Sequence, residues 1–264
     1  MTKQPIGIFD SGLGGLTILK ALRRQLPQED FIYFGDTANV PYGSKSKQTV
    51  TRFSAAIARF LETQQVKLIV VACNTASALA LNELRRQCRV PVLGVIEPGA
   101  QAAAAATRNR RIAILGTEAT VRSKAYEKAV RKKLADARIL QQACALFVPL
   151  VEENWANTPA TKHVAQIYLT PVKRFRADTV ILGCTHYPIL KPVLAQLLGK
   201  KVQLVDPAQT TARAVAEFLK NGQTTHGKGK LTVYASDDPT RFKRLASRLL
   251  GTPISNVHLK KLNV

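Results

Sequence analysis

Two short segments place a cysteine where chemistry could be done: VVACNTASA at 70–78 and ILGCTHYPI at 181–189. In each, an apolar run ends in a cysteine, small polar residues follow at once, and a helix-like pattern begins. Cys73 and Cys184 therefore occupy matching strand-to-helix junctions in the two halves of the chain. One thiolate and one thiol on opposite faces of a Cα–H would allow deprotonation from one side and reprotonation from the other, which is racemisation. A free thiol has a pKa of about 8.5, lowered by a helix N-terminus or a cationic histidine. Cys184 has His186 two residues on, and Cys73 could be met by Asp10 from a neighbouring strand end. A carboxylate would not lower a thiol pKa, but it could accept or relay the proton. The competing use is a Cys–His hydrolase with His186 as base for Cys184. Positions so close on one turn make that geometry poor, and Cys73 would have no role. The other cysteines, Cys88 and Cys144, read as small buried hydrophobes.

The elements that must position these residues alternate from the start. IGIFD (6–10) reads as a strand, a helix follows from Leu16 to Gln25, and FIYFGD (31–36) is a second strand. A loop leads to a helix over 47–64, where Val50, Phe53, Ile57 and Phe60–Leu61 have helical spacing. KLIVVAC (67–73) is a continuous apolar strand of the kind buried on both faces of a parallel sheet. Helix 75–87 and strand 90–95 come next, and EPGA (97–100) interrupts the run. The order restarts with helix 100–107, strand 111–116, helix 120–136, the strand-like ALFVP (145–149) and helix 158–175. DTVILGC (178–184) repeats the buried-strand signature before helix 189–198 and strand 202–206. Pro207 marks a second break; helix 208–220, a Gly-rich loop at 221–230, strand 231–236 and a helix over 238–249 close the fold. This alternation predicts an α/β fold of two doubly wound domains with parallel sheets. The first would comprise 1–97 plus 208–264 and the second 98–207.

Ligands of such sheets bind outside the carboxyl ends of the strands. Asp10-Ser11, Asp36, Cys73-Asn74-Thr75, Gly116-Thr117, Cys184-Thr185-His186 and Asp206 all gather there. Helices beginning at these ends direct free N–H groups and positive dipole ends inward, which suits a carboxylate ligand without a dedicated arginine. The glycines of DSGLGG do not form a dinucleotide fingerprint, because position 17 is threonine. No P-loop is present either, so Gly12, Gly14 and Gly15 read as a tight turn with close helix packing.

Composition narrows the classes further. Four cysteines without a CxxC pair make neither a disulfide framework nor a zinc site, so a reducing, cytoplasmic setting and no metal are expected. The chain passes from MTKQP directly into its first strand without a signal-peptide pattern, and no run reaches a membrane-spanning length. The charge is unusual: 39 Lys and Arg against 17 Asp and Glu give a formal +22. Such a field attracts polyanions and steers small anionic substrates. The basic residues are dispersed without interleaved aromatics, which disfavours a base-stacking surface. A basic nucleic-acid-binding protein on the same fold remains the alternative of another class.

GIFDSGLGGLT, YFGDTANVPYG, ACNTASA, GVIEPGA and LGCTHYPIL occur in the order and spacing of the glutamate racemases, which the chain closely resembles over nearly its whole length. The resemblance implies two flavodoxin-like domains with the active site between them and cofactor-independent interconversion of L- and D-glutamate for peptidoglycan synthesis. It implies that Cys73 and Cys184 are the proton donor and acceptor, with Asp10 assisting the first and His186, supported by Glu152, the second. Substrate contacts carry over to Asp10, Ser11, Pro41, Tyr42, Gly43, Asn74, Thr75, Thr185 and His186, with Thr117 and Thr120 on the second domain. Aspartate racemases usually show GCTE where this chain has GCTH, which favours glutamate over an aspartate racemase-like activity. A homodimer is implied, with no membrane partner. Because some members inhibit DNA gyrase, a weak gyrase or polyanion interaction is also admitted. No extension of the sort associated with control by a cell-wall precursor precedes the first strand, so no such activation is expected.

Overall fold

The computed structural model describes residues 4–219, 229–254 and 256–263. In chain order the strands and helices are β1 (Ile6–Asp10), α1 (Leu16–Gln25), β2 (Phe31–Gly35), α2 (Lys47–Thr63), β3 (Leu68–Val71), α3 (Asn74–Leu79), α4 (Leu81–Gln87) and β4 (Val92–Gly94). They continue with α5 (Ile96–Ala106), β5 (Arg111–Gly116), α6 (Glu118–Ser123), α7 (Ala125–Lys133), β6 (Arg138–Ala143), α8 (Phe147–Glu152) and α9 (Pro159–Arg174). The last are β7 (Thr179–Gly183), α10 (Lys191–Leu198), β8 (Gln203–Val205), α11 (Pro207–Leu219), β9 (Leu231–Ala235), α12 (Pro239–Leu250) and β10 (Val257–Leu259).

The strands form two sheets, with orders β10-β9-β2-β1-β3-β4 and β6-β5-β7-β8. Every pairing is parallel. All residues of β1, β2, β3 and β7 are buried, as the continuous apolar runs require when helices cover both faces of a sheet. The core order β2-β1-β3-β4 of the first sheet is repeated as β6-β5-β7-β8 in the second. In each, the chain reverses its direction of winding between the first and third strands, where a crevice opens at the carboxyl ends. Cys73 follows β3 and Cys184 follows β7, so the two thiols hold equivalent places at the two switch points. Helices α1, α5 and α11 pack together between the sheets, and their apolar faces join both halves in one core cluster.

Four expectations need correction, and two edge strands were not foreseen. ALFVP (145–149) is not a strand: Leu146 is exposed, Phe147 is buried and α8 begins there. The strand lies upstream as β6, which the sequence reading missed because this edge strand is half-buried and lacks clean alternation. The helix expected over 75–87 is divided at Ala80 into α3 and α4. The one expected over 120–136 is divided at Lys124, whose φ of 54° is left-handed. Glu97-Pro98-Gly99 do not interrupt the chain but form the first turn of α5, where a missing proline N–H leaves no hydrogen bond unmade. The short edge strand β10 was also unforeseen. Of the Gly-rich loop expected at 221–230, positions 221–228 lie outside the described residues.

Candidate active site

The carboxyl ends of β1, β3, β5 and β7 converge, and the side chains predicted there meet in one closed cluster. Asp10 is wholly buried at the end of β1. Its Oδ2 accepts the Gly12 N–H at 3.0 Å and its Oδ1 accepts the Thr185 hydroxyl from the other half at 3.4 Å. Burial raises its pKa, against the nearby charge of His186 and the hydrogen bonds it accepts. Cys73 caps α3, its Sγ accepting the Ala76 N–H at 3.5 Å and lying 3.7 Å from Ser11 Oγ. Burial first, and then the charge of Asp10, push this thiol up to about 12, so it is protonated at neutral pH.

On the other side Cys184 Sγ lies 3.7 Å from His186 Nδ1, and His186 Nε2 donates to Glu152 Oε1 at 3.0 Å. Burial alone would lower the histidine pKa. The hydrogen bonds and charges of Cys184 and Glu152 outweigh it and bring it up to about 10, so the imidazole is cationic at neutral pH. The stabilisation from this raised pKa is full below pH 6.5 and lost as pH rises through about 10. The short spacing was expected to make the geometry of a Cys–His hydrolase pair poor; the turn after β7 nonetheless brings sulfur and imidazole together, as the assisting role expected of His186 requires. Glu152, implied to support His186, ends α8 and reaches the cluster from there.

The remaining predicted contacts divide. Thr75, Thr117 and Thr120 form a triangle of hydroxyls with edges of 2.9, 3.3 and 3.0 Å, joining the start of α3 to the start of α6. Gly43 lies directly against the Thr117 side chain. Tyr42 is buried, and its hydroxyl donates to Asp36 Oδ2 at 2.5 Å, so that group is engaged beneath the cleft. Asp36 also accepts from Ser236 and Asn39, which ties the loop carrying Pro41, Tyr42 and Gly43 to the end of β9. Pro41 follows a cis peptide bond and is exposed. Cys144 and Cys88 are free thiols. Cys144 is wholly buried as expected, whereas Cys88 is partly exposed.

Three contributors were missed. Tyr33 donates to the Gly12 carbonyl at 2.8 Å and fixes the loop after β1. Thr17, which breaks the dinucleotide fingerprint, reaches the Thr185 carbonyl at 3.3 Å. Tyr126 donates to Asn74 Oδ1 at 2.6 Å from the other half. Their partners are 21, 168 and 52 positions away, beyond any local pattern. A groove of about 1060 Å³ along α4, α5, α7 and α11 contains none of the predicted site residues.

This geometry agrees with the comparisons to known proteins. The Asp/Glu/Hydantoin racemase family model matches residues 7–215. A glutamate racemase of Geobacter metallireducens is 50% identical over 261 residues, covering 98% of this chain and 97% of that one. The chain belongs to the glutamate racemase family. The crystal structure of the Thermus thermophilus glutamate racemase in complex with β-chloro-D-alanine has a TM-score of 0.89 at 46% identity, covering 98% of this chain and 97% of that one. That of the Francisella tularensis enzyme in complex with D-glutamate has a TM-score of 0.92 at 35% identity, covering 98% of each. As a member of the glutamate racemase family the chain is an isomerase of the racemase type with the family's two-sheet α/β fold. No helix among the described residues is long and apolar enough to cross a membrane.

Proposed function

We propose that this racemase interconverts L- and D-glutamate by a two-base mechanism and supplies D-glutamate for peptidoglycan in the cytoplasm. The observation that carries it is the pair of thiols at equivalent switch points, Cys73 beside Ser11 and under the charge of Asp10, Cys184 beside His186. The α-carboxylate is held by neutral donors and helix starts at Ser11, Asn74, Thr75, Thr117, Thr120 and Thr185. One sulfur removes the α-proton, and the carbanion-like intermediate is stabilised by those donors in a site closed to water. The other sulfur then reprotonates the opposite face. Asp10 relays the proton on the Cys73 side; the His186 imidazolium, held by Glu152, is the counter-charge when Cys184 is the thiolate.

The working units are 1–97 plus 208–264 and 98–207, and substrate enters as they part. Apolar packing of α1, α5 and α11 holds the units together behind the site, while the contacts across the cleft itself are a few hydrogen bonds of about 1 kcal/mol each, weak enough to break as it opens. A homodimer, and weak polyanion or gyrase contacts at the +22 surface, belong to the same reading.

The test is incorporation of solvent deuterium at Cα of L- and D-glutamate, followed by NMR alongside circular dichroism without added cofactor. Incorporation with loss of optical activity is expected for both enantiomers. No exchange with glutamate, but exchange with aspartate, would transfer the chemistry to the aspartate racemases. A separate expectation concerns pH. Glu152→Gln removes one of the groups that raise the His186 pKa, so the imidazolium is lost at lower pH. The alkaline limb of kcat/KM should move down by about one unit. An unmoved limb between pH 7 and 11 would mean that Glu152 does not tune the histidine.

A further inference from the structure

We propose that Tyr126 is a positioning residue that orients the Asn74 amide toward the substrate carboxylate from across the cleft. Tyr126 lies on α7 in the half that carries Cys184, whereas Asn74 is the first residue of α3, beside Cys73. The phenol is wholly buried and Asn74 nearly so. Its ring packs against the backbone of Gly183, where an added methyl would lie 3.2 Å from the ring edge. The residue before Cys184 thus supports the side chain that reaches to the residue after Cys73.

The chemistry of the contact gives it a direction. Burial, and then the charges of Cys184 and Asp206, raise the phenol above its ordinary value of 10, so it keeps its proton wherever the enzyme works. A permanent O–H donor beside a primary amide selects the oxygen as its partner, which matches the 2.6 Å contact to Oδ1. The two N–H donors of the amide are thereby turned away from α7. A donor facing an anionic carboxylate is favourable; a carbonyl oxygen in the same place is repulsive. Without the hydroxyl, the amide can rotate and present either. No predicted substrate contact includes Tyr126, and a lone aromatic at helical spacing reads as core.

The inference rests on the proposed glutamate racemisation and deepens it. Tyr126→Phe removes one oxygen and keeps the ring, so thermal unfolding should change little. The KM for both enantiomers should rise about tenfold while kcat changes less than about threefold, because carboxylate binding is shared by ground and transition states. Asn74→Ala should raise KM at least as much, and Tyr126→Phe added to it should raise KM no further, because the hydroxyl acts through the amide. Asn74→Asp is the second probe: it still accepts from Tyr126 but has no N–H, and should bind as poorly as Asn74→Ala. Equal KM increments for Tyr126→Phe in both backgrounds would overturn the proposal, as would an unchanged KM in the single variant or normal binding by Asn74→Asp. Wild-type protein inactive on glutamate would instead remove the underlying reading.

Discussion

Cys73→Ala and Cys184→Ala will each lower glutamate racemisation in both directions by at least about 10⁴-fold, the upper range for loss of a positioned acid or base. Inversion needs a base on one face and an acid on the other, so neither sulfur can be dispensed with in either direction. Because the two act in one sequence, the double variant should lose little more than either single one. Each single variant keeps one base and can still abstract the α-proton of one enantiomer. Slow deuterium exchange without inversion is therefore expected with one hand of glutamate only, and with the opposite hand in the complementary variant. Both thiols are almost completely buried at the ends of core strands, and alanine fits where a thiol does, so the fold is retained. Near-normal turnover by either variant would remove the two-base mechanism; exchange of both hands by one variant would assign both steps to a single sulfur.

Gly14→Ala should cost about 10²-fold in kcat/KM with no change at any group that transfers a proton. The loop after β1 comes so close to the other half that a methyl on Gly14 would lie 2.3 Å from Thr185 Oγ1 and 2.7 Å from His186 Nδ1. Neither neighbour yields freely: Thr185 is hydrogen-bonded to Asp10, and His186 is held between Cys184 and Glu152. The methyl therefore pushes the Cys184 side of the cleft away from the Cys73 side. Misplacement by about 1 Å is enough for a loss of that size. Solvent exchange measured with each enantiomer should fall along with inversion. Wild-type kcat/KM in Gly14→Ala would show that the two halves need not meet so closely during turnover.

The glycine shows how far a linear reading extends. Gly14 was placed in a tight turn with helix packing, which is correct as far as local structure goes. That it abuts Thr185 and His186, some 170 positions later, is a consequence of two sheets facing each other. The same holds for Thr17, visible only as the residue that spoils a nucleotide motif until its hydroxyl is found on the Thr185 carbonyl. His186 shows what spacing leaves open. It was expected to assist Cys184, but so short a spacing was read as poor geometry for a Cys–His hydrolase pair, yet the turn after β7 brings Nδ1 within 3.7 Å of sulfur. Backbone course over three residues is decided by what the following helix packs against, and spacing alone does not report it.

What the amino-acid order determined by itself was local and repeated: buried parallel strands as unbroken apolar runs, and a thiol with small polar neighbours where two of them end. These are legible because a strand buried on both faces tolerates little but aliphatic residues, and its carboxyl end is where polar groups become affordable. The edge strands β6 and β10 escaped because half-exposed strands carry no such constraint. Only the tertiary structure decided which groups face one another across the cleft: Thr75 with Thr117 and Thr120, Thr185 with Asp10, Tyr126 with Asn74. Each joins residues dozens to hundreds of positions apart. Such pairs are set by how α1, α5 and α11 pack between the sheets, a long-range balance of buried surface that no short window of sequence contains.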